Sequence, residues 1–177
     1  TYISIVDDGD IGEPGDDLAG CDTVRQSGFI YNYTNFDSTY GAAPPAIGYR
    51  LLQSPLIHTG NPLDTAKLPY GNFIGYKLRG LLVYNTFVNG GDPCISDPDD
   101  AVFAYNYMIG LTGCGAPIYN PNTGQPSKFK YSGNACTRTG WVNSTPIDIR
   151  QVLSSGPVTM NSNDTQIIVA AVMLGRG

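Results

Sequence analysis

Twenty-two glycines and thirteen prolines punctuate the 177 residues of this chain, so its apolar runs are short and bounded by turns. In a helix interior Gly and Pro are less favourable than Ala by roughly 1 and 3 kcal/mol. Charged residues, which dress the outer faces of helices, make up only 14%. Such a chain folds most readily as strands joined by turns. Its twelve Tyr and six Phe suit a half-buried pleated surface. The expectation is a mainly β fold, an antiparallel β-sandwich with one accessory helix and long loops, disulfide-stabilised. The length fits a single domain over residues 1–177.

Strands are predicted at residues 2–6, 28–33, 47–53, 128–131, 149–153, 158–160 and 166–174, with a hairpin turn over 161–164. Residues 73–88 read as one long bent strand or two paired ones, and 54–71 as a surface connection. One helix is predicted. Asp97 caps it, Pro98 takes its first position, and Asp99 and Asp100 complement the dipole. Ala101, Val102, Tyr105, Met108 and Ile109 form its apolar face, and Gly110 ends it. Its expected role is packing on the sheet.

Seven of the fifteen acidic residues fall within the first 22 positions, where there is no Lys or Arg. The remainder carries ten basic against eight acidic residues, a net of +2. Neither part presents the clustered basic face that a nucleic acid requires, so no nucleic-acid partner is expected. The glycine-containing loop over 7–22 offers Asp7, Asp8, Asp10, Asp16, Asp17 and Asp22 as hard oxygen donors. Such donors on a flexible backbone suit Ca²⁺, although the spacing is not that of an EF-hand. The competing reading is a solvated acidic loop. Asp92, Asp97, Asp99 and Asp100 form a second acidic group, which helix capping explains.

The four cysteines, Cys21, Cys94, Cys114 and Cys136, lack a C-x-x-C spacing, and the chain has one histidine, so zinc and haem readings fail. Two disulfides are expected, with small buried thiols as the competing reading. Cys114 with Cys136 closes a short loop, which leaves Cys21 to tie the acidic head to Cys94. No apolar run of about 18 residues marks a membrane span. With no initiating Met or signal peptide at its start, the chain reads as a mature or excised segment.

Catalytic signals are few. The sole histidine, His58, lies in the Pro-containing connection near Ser54 and Thr59, and no G-x-S-x-G elbow exists. The adjacent pairs Asp7/Asp8 and Asp16/Asp17 share one loop, which suits cation ligation better than acid–base work. Trp141, Tyr119 and Tyr131 offer either a sugar-binding platform or core aromatics. Asn-x-Ser/Thr sequons occur at Asn32, Asn143 and Asn163.

Several segments carry a family likeness in conserved order along nearly the whole chain. They are Asp10-Ile-Gly, Asp16-Asp-Leu-Ala-Gly-Cys-Asp-Thr23, Tyr31-Asn, Pro44-Pro-Ala-Ile-Gly-Tyr49, Tyr105-Asn-Tyr-Met-Ile-Gly110, Ser132-Gly to Thr139-Gly-Trp141, Leu153-Ser-Ser-Gly-Pro157 and Asp164-Thr-Gln166. Together they resemble a domain of large secreted or cell-surface proteins of the Bacteroidota and related phyla, of the kind exported as type IX secretion cargo. The resemblance implies an extracellular location and no defined activity. It also implies O-glycans at Asp-Ser/Thr followed by a small or apolar residue, which places candidate glycans on Thr23, Ser38 and Thr65.

The function expected is that of an extracellular structural or cell-surface protein, a filament or surface-layer subunit that self-associates or meets other surface proteins. The alternative is a calcium- or carbohydrate-binding module of a larger secreted adhesin or enzyme, with polysaccharide as partner. An enzyme is not expected.

Overall fold

The structure, a computed structural model, describes residues 1–176. In chain order the strands are β1 (Ile3–Asp8), β2 (Asp17–Asp22), β3 (Ser27–Asn32), β4 (Phe36–Asp37), β5 (Gly41–Ala42), β6 (Pro45–Gln53), β7 (Leu56–His58), β8 (Thr65–Leu68), β9 (Gly71–Ile74), β10 (Tyr76–Leu78) and β11 (Val83–Val88). The helix α1 (Ala101–Met108) then precedes β12 (Ile149–Ser155) and β13 (Val169–Arg176). A four-stranded antiparallel sheet runs β13-β6-β3-β2, and a three-stranded one runs β1-β12-β11. The ribbons β4-β5, β7-β10 and β8-β9 decorate them.

The two sheets face each other as a sandwich, since each main core cluster draws side chains from both. One joins Cys21 and Leu51 to Tyr84 and Leu153, with Leu81 beside them. The other joins Ala19 and Ile30 to Ile149, with Ile11 beside them. At Gly28 the sheets approach so closely that a Cβ would lie 2.2 Å from the Tyr84 ring, so only glycine fits. On the outer face of the three-stranded sheet, Phe87 and Val152 pack on Tyr107 of α1, giving a third layer.

Several elements differ from expectation. β2 falls where a loop is predicted, because Asp17 and Asp22 at its ends mask a buried run from Leu18 to Cys21. The 54–71 stretch contains β7 and β8, and 73–88 contains parts of three strands. Residues 128–131 form only a single bridge, Tyr84 to Phe129. Residues 158–160 join no ladder. Val158 instead exchanges backbone hydrogen bonds with Thr1, both at 2.9 Å, and the last strand pairs with β6.

The helix cap is Asp100, whose carboxylate accepts from the backbone N–H groups of Val102 and Phe103, and Asp97 lies outside the helix. Val102 and Tyr105 of the expected apolar face are exposed. The helix is turned instead by Tyr107, whose hydroxyl donates to Ser96 O at 2.7 Å, and by Asn85, whose amide donates to Tyr107 O and Leu111 O.

The register places Val172–Tyr49–Gly28–Cys21 in one row across the four-stranded sheet and Leu174–Ile47–Ile30–Ala19 in the next. Both rows face the opposing sheet. That sheet ends above β6, where Ile5 of β1 packs with Leu51 and Tyr49. Among the described residues it has no fourth strand, which leaves β13 uncovered, and Val172 and Leu174 stand 62% and 76% exposed on a face buried elsewhere.

Candidate functional site

The acidic head does not converge on one point, because side chains alternate along β1. Asp7 turns into the sandwich, where its two oxygens accept from the Tyr49 hydroxyl at 2.7 Å and the Gln151 amide at 2.9 Å. The bond to Asp7 pushes the Tyr49 phenol up to about 12. Asp8 turns outward and converges with Asp10 and Asp148. One carboxylate oxygen from each lies within 4.8 Å of the others.

Arg150 stands opposite Asp8 in the β1–β12 ladder. Its guanidinium meets Asp8 at 3.0 Å, pairs with Asp148, and lies 3.6 Å from Asp97. Three carboxylates on one guanidinium, with Asp10 beside two of them, leave a formal charge of 1 − 4 = −3. Desolvation, then repulsion by Asp8 and Asp148, raises the Asp10 carboxyl above its ordinary range. This is a hard-oxygen cluster able to hold a metal ion, with an arginine already serving as internal counterion.

The other predicted ligands lie elsewhere. Asp16 accepts from the Asn32 amide at 2.9 Å. Asp22 accepts from the backbone of Val24 and Arg25 and pairs with the Arg25 guanidinium, and the Arg25 bonds hold its carboxyl below the usual range. Asp17 is buried. One oxygen accepts from Ile11 N–H at 3.0 Å, the other has no partner among the described residues, and burial pushes the carboxyl up to about 7. Asp148 and Arg150 escape sequence reasoning, because only the pairing of the first strand with a strand late in the chain brings them to Asp8.

The cysteine pairing is corrected. Cys94 bonds Cys114, with Cα atoms 4.9 Å apart, while Cys21 and Cys136 are free thiols. The reason is local: after α1 the chain folds back, Gly113 N–H donates to Cys94 O at 2.8 Å, and the two sulfurs meet. Cys21 sits in the interior of the sandwich, where its thiol donates to Lys130 O and is pushed up to about 12 by burial. Cys136 is exposed on a loop.

Thr23, Ser38 and Thr65 are all exposed. Of the sequons, Asn32 and Asn143 are buried and Asn163 is exposed. His58 stacks edge-on against Tyr76 with ring centroids 4.9 Å apart. Tyr119 is exposed, whereas Tyr131 and Trp141 meet edge-to-face at 5.7 Å beside a cavity of about 370 Å³.

No protein-family model, curated protein or solved structure matches this chain. Among the described residues, no helix is long and apolar enough to cross a membrane.

Proposed function

We propose that this chain is an extracellular structural protein of a cell surface, a subunit that joins its neighbours through the uncovered strand β13. One observation carries this reading: a strand position is vacant beside β1, above the apolar row of Val172 and Leu174. A strand supplied by a second copy would complete the three-stranded sheet, pair with the free edge of β1 and cover that row. Repeating the exchange from copy to copy builds a filament or layer. A disulfide around α1 fits persistence outside the cell. The exposed hydroxyls of Thr23, Ser38 and Thr65 suit O-glycans, and a native mass equal to the bare 18.9 kDa chain would exclude them.

Analytical ultracentrifugation and electron microscopy of the purified chain test the assembly. The expected result is concentration-dependent oligomers or fibres, abolished by the pair Val172→Lys and Leu174→Lys with the circular dichroism spectrum unchanged. Monomer at all concentrations, or equal assembly by the double variant, would sink the reading.

The Asp8, Asp10 and Asp148 cluster favours a second reading, a calcium-binding module of a larger secreted adhesin or enzyme. Extracellular calcium modules bind with Kd of about 10⁻⁴ to 10⁻³ M. Calorimetry with Ca²⁺ should show binding in that range, lost in Asp148→Asn, and a flat titration at millimolar Ca²⁺ counts against it.

A further inference from the structure

Opposite the acidic cluster in charge is the cavity beside Tyr131 and Trp141. Lys130 is the one charged residue that lines it, in a chain of net charge −5. The Lys130 ammonium donates to Thr86 O at 3.2 Å, and among the described residues no carboxylate pairs with it. Its Nζ also lies 5.4 Å from the centre of the Tyr131 ring. An ammonium has three protons to donate, and here one is matched by a protein acceptor. Burial pushes this lysine down to about 8.

Asn143, which lines the same cavity, carries an unmatched donor enclosed behind its wall. Asn143 is 6% exposed. Its side-chain oxygen accepts from Thr145 N–H at 3.2 Å, which fixes the orientation of the amide. The amide nitrogen, turned the other way, is buried and has no partner. A buried donor without an acceptor costs roughly 1–3 kcal/mol. The backbone beside it is also constrained: Tyr131 holds φ at 50°, a left-handed conformation uncommon outside glycine. An ammonium without a carboxylate, two aromatic rings and no acidic residue thus share one cavity of about 370 Å³, within the range of small-molecule sites at about 300–1,000 Å³.

We infer that this cavity binds the carboxylate of an acidic sugar, a uronate unit of a polysaccharide. The Lys130 ammonium, with protons left over after its bond to Thr86 O, supplies the charge-assisted donor for the carboxylate. The rings of Trp141 and Tyr131 supply the apolar surface on which a sugar ring lies, as they would not for a free inorganic anion. Ligand binding here is independent of strand exchange at β13.

Trp141 is the only tryptophan in the chain, so its fluorescence reports on this cavity alone. The purified chain is titrated with a galacturonate disaccharide, with the neutral galactose disaccharide, and with an aspartyl dipeptide. A saturable change with the uronate, at least about tenfold weaker with the neutral sugar, is expected from loss of a charge-assisted bond. Equal response to the neutral sugar, response to the dipeptide alone, or none to the uronate overturns the inference. Lys130→Met keeps the apolar stem and removes the unpaired charge. It should hold or raise the melting temperature while abolishing uronate binding, and retained binding would likewise overturn the assignment. The wild-type comparison stands even if that variant does not fold.

Discussion

The four-stranded sheet has two edges of similar chemistry and opposite fate. β2 and β13 are both apolar edge strands, yet β2 is buried almost throughout and β13 is exposed almost throughout. The covered edge owes its burial to irregular chain. Cys21 N–H donates to Tyr131 O at 3.2 Å, Ile147 N–H donates to Asp17 O at 3.1 Å, and the Cys21 thiol donates to Lys130 O. Residues 130–147 thus shield the outer edge of β2 without adding a strand. Among the described residues β13 has no such cover, and its backbone edge and apolar side chains lie open. Edge protection in this fold is therefore a property of connections, independent of how apolar the strand is.

The largest test of that contrast places lysine on each edge. Ala19→Lys in β2, at a site 1% exposed, should cost about 4 kcal/mol or more because an unpaired charge is buried. Val172→Lys in β13 should stay within about 0.5 kcal/mol. Urea midpoints compare them, and equal losses would break the contrast.

Next in size is the disulfide. Cys94 and Cys114 are 20 residues apart, and a loop of that order is worth about 3 kcal/mol in chain entropy. Replacing both by Ser should loosen α1 first and leave the cover of β2 in place, since hydrogen bonds hold it. Hydrogen exchange should then show faster amides over 101–108 while Cys21 and Ile147 remain protected. Loss of protection at β2 in step with the helix would refute this.

The smallest effect concerns Asp17 at the start of the covered strand. Its carboxyl is raised from 3.8 to about 7 in the fold, so it stabilises fully below pH 3.8 and that contribution is lost as pH rises through about 7. Asp17→Asn should flatten this fall and gain about 1 kcal/mol at pH 7.5, because it removes the buried charge while leaving one amide proton without an acceptor. Melting curves between pH 4.5 and 7.5 check it, and a variant no more stable at neutral pH would show the cover to be wetter than the geometry indicates.

The β class was legible from turn punctuation, and β1, β3, β6 and β12 from their apolar patterns. β2 was not, because two aspartates bound a run of only four buried residues. Within the candidate metal cluster Asp8 and Asp10 were legible as loop oxygens. Asp148 and Arg150 were not, since their convergence depends on the register of β1 against β12, set by packing between distant parts of the chain. The cysteine pairing failed for a related reason: Cys114 lies 20 residues from Cys94 and 22 from Cys136, so loop length could not choose between them, and the fold-back after α1 brings Cys94 to it.

Buried Asn143 and Asn32 carry one more consequence, for the choice of expression host. Both lie in sequons that an oligosaccharyltransferase reads on the nascent chain, before either side chain reaches its place in the fold. A glycan attached at either position would be too large to bury. A host with N-linked glycosylation should therefore retain and degrade this protein, whereas one without that enzyme should deliver it folded.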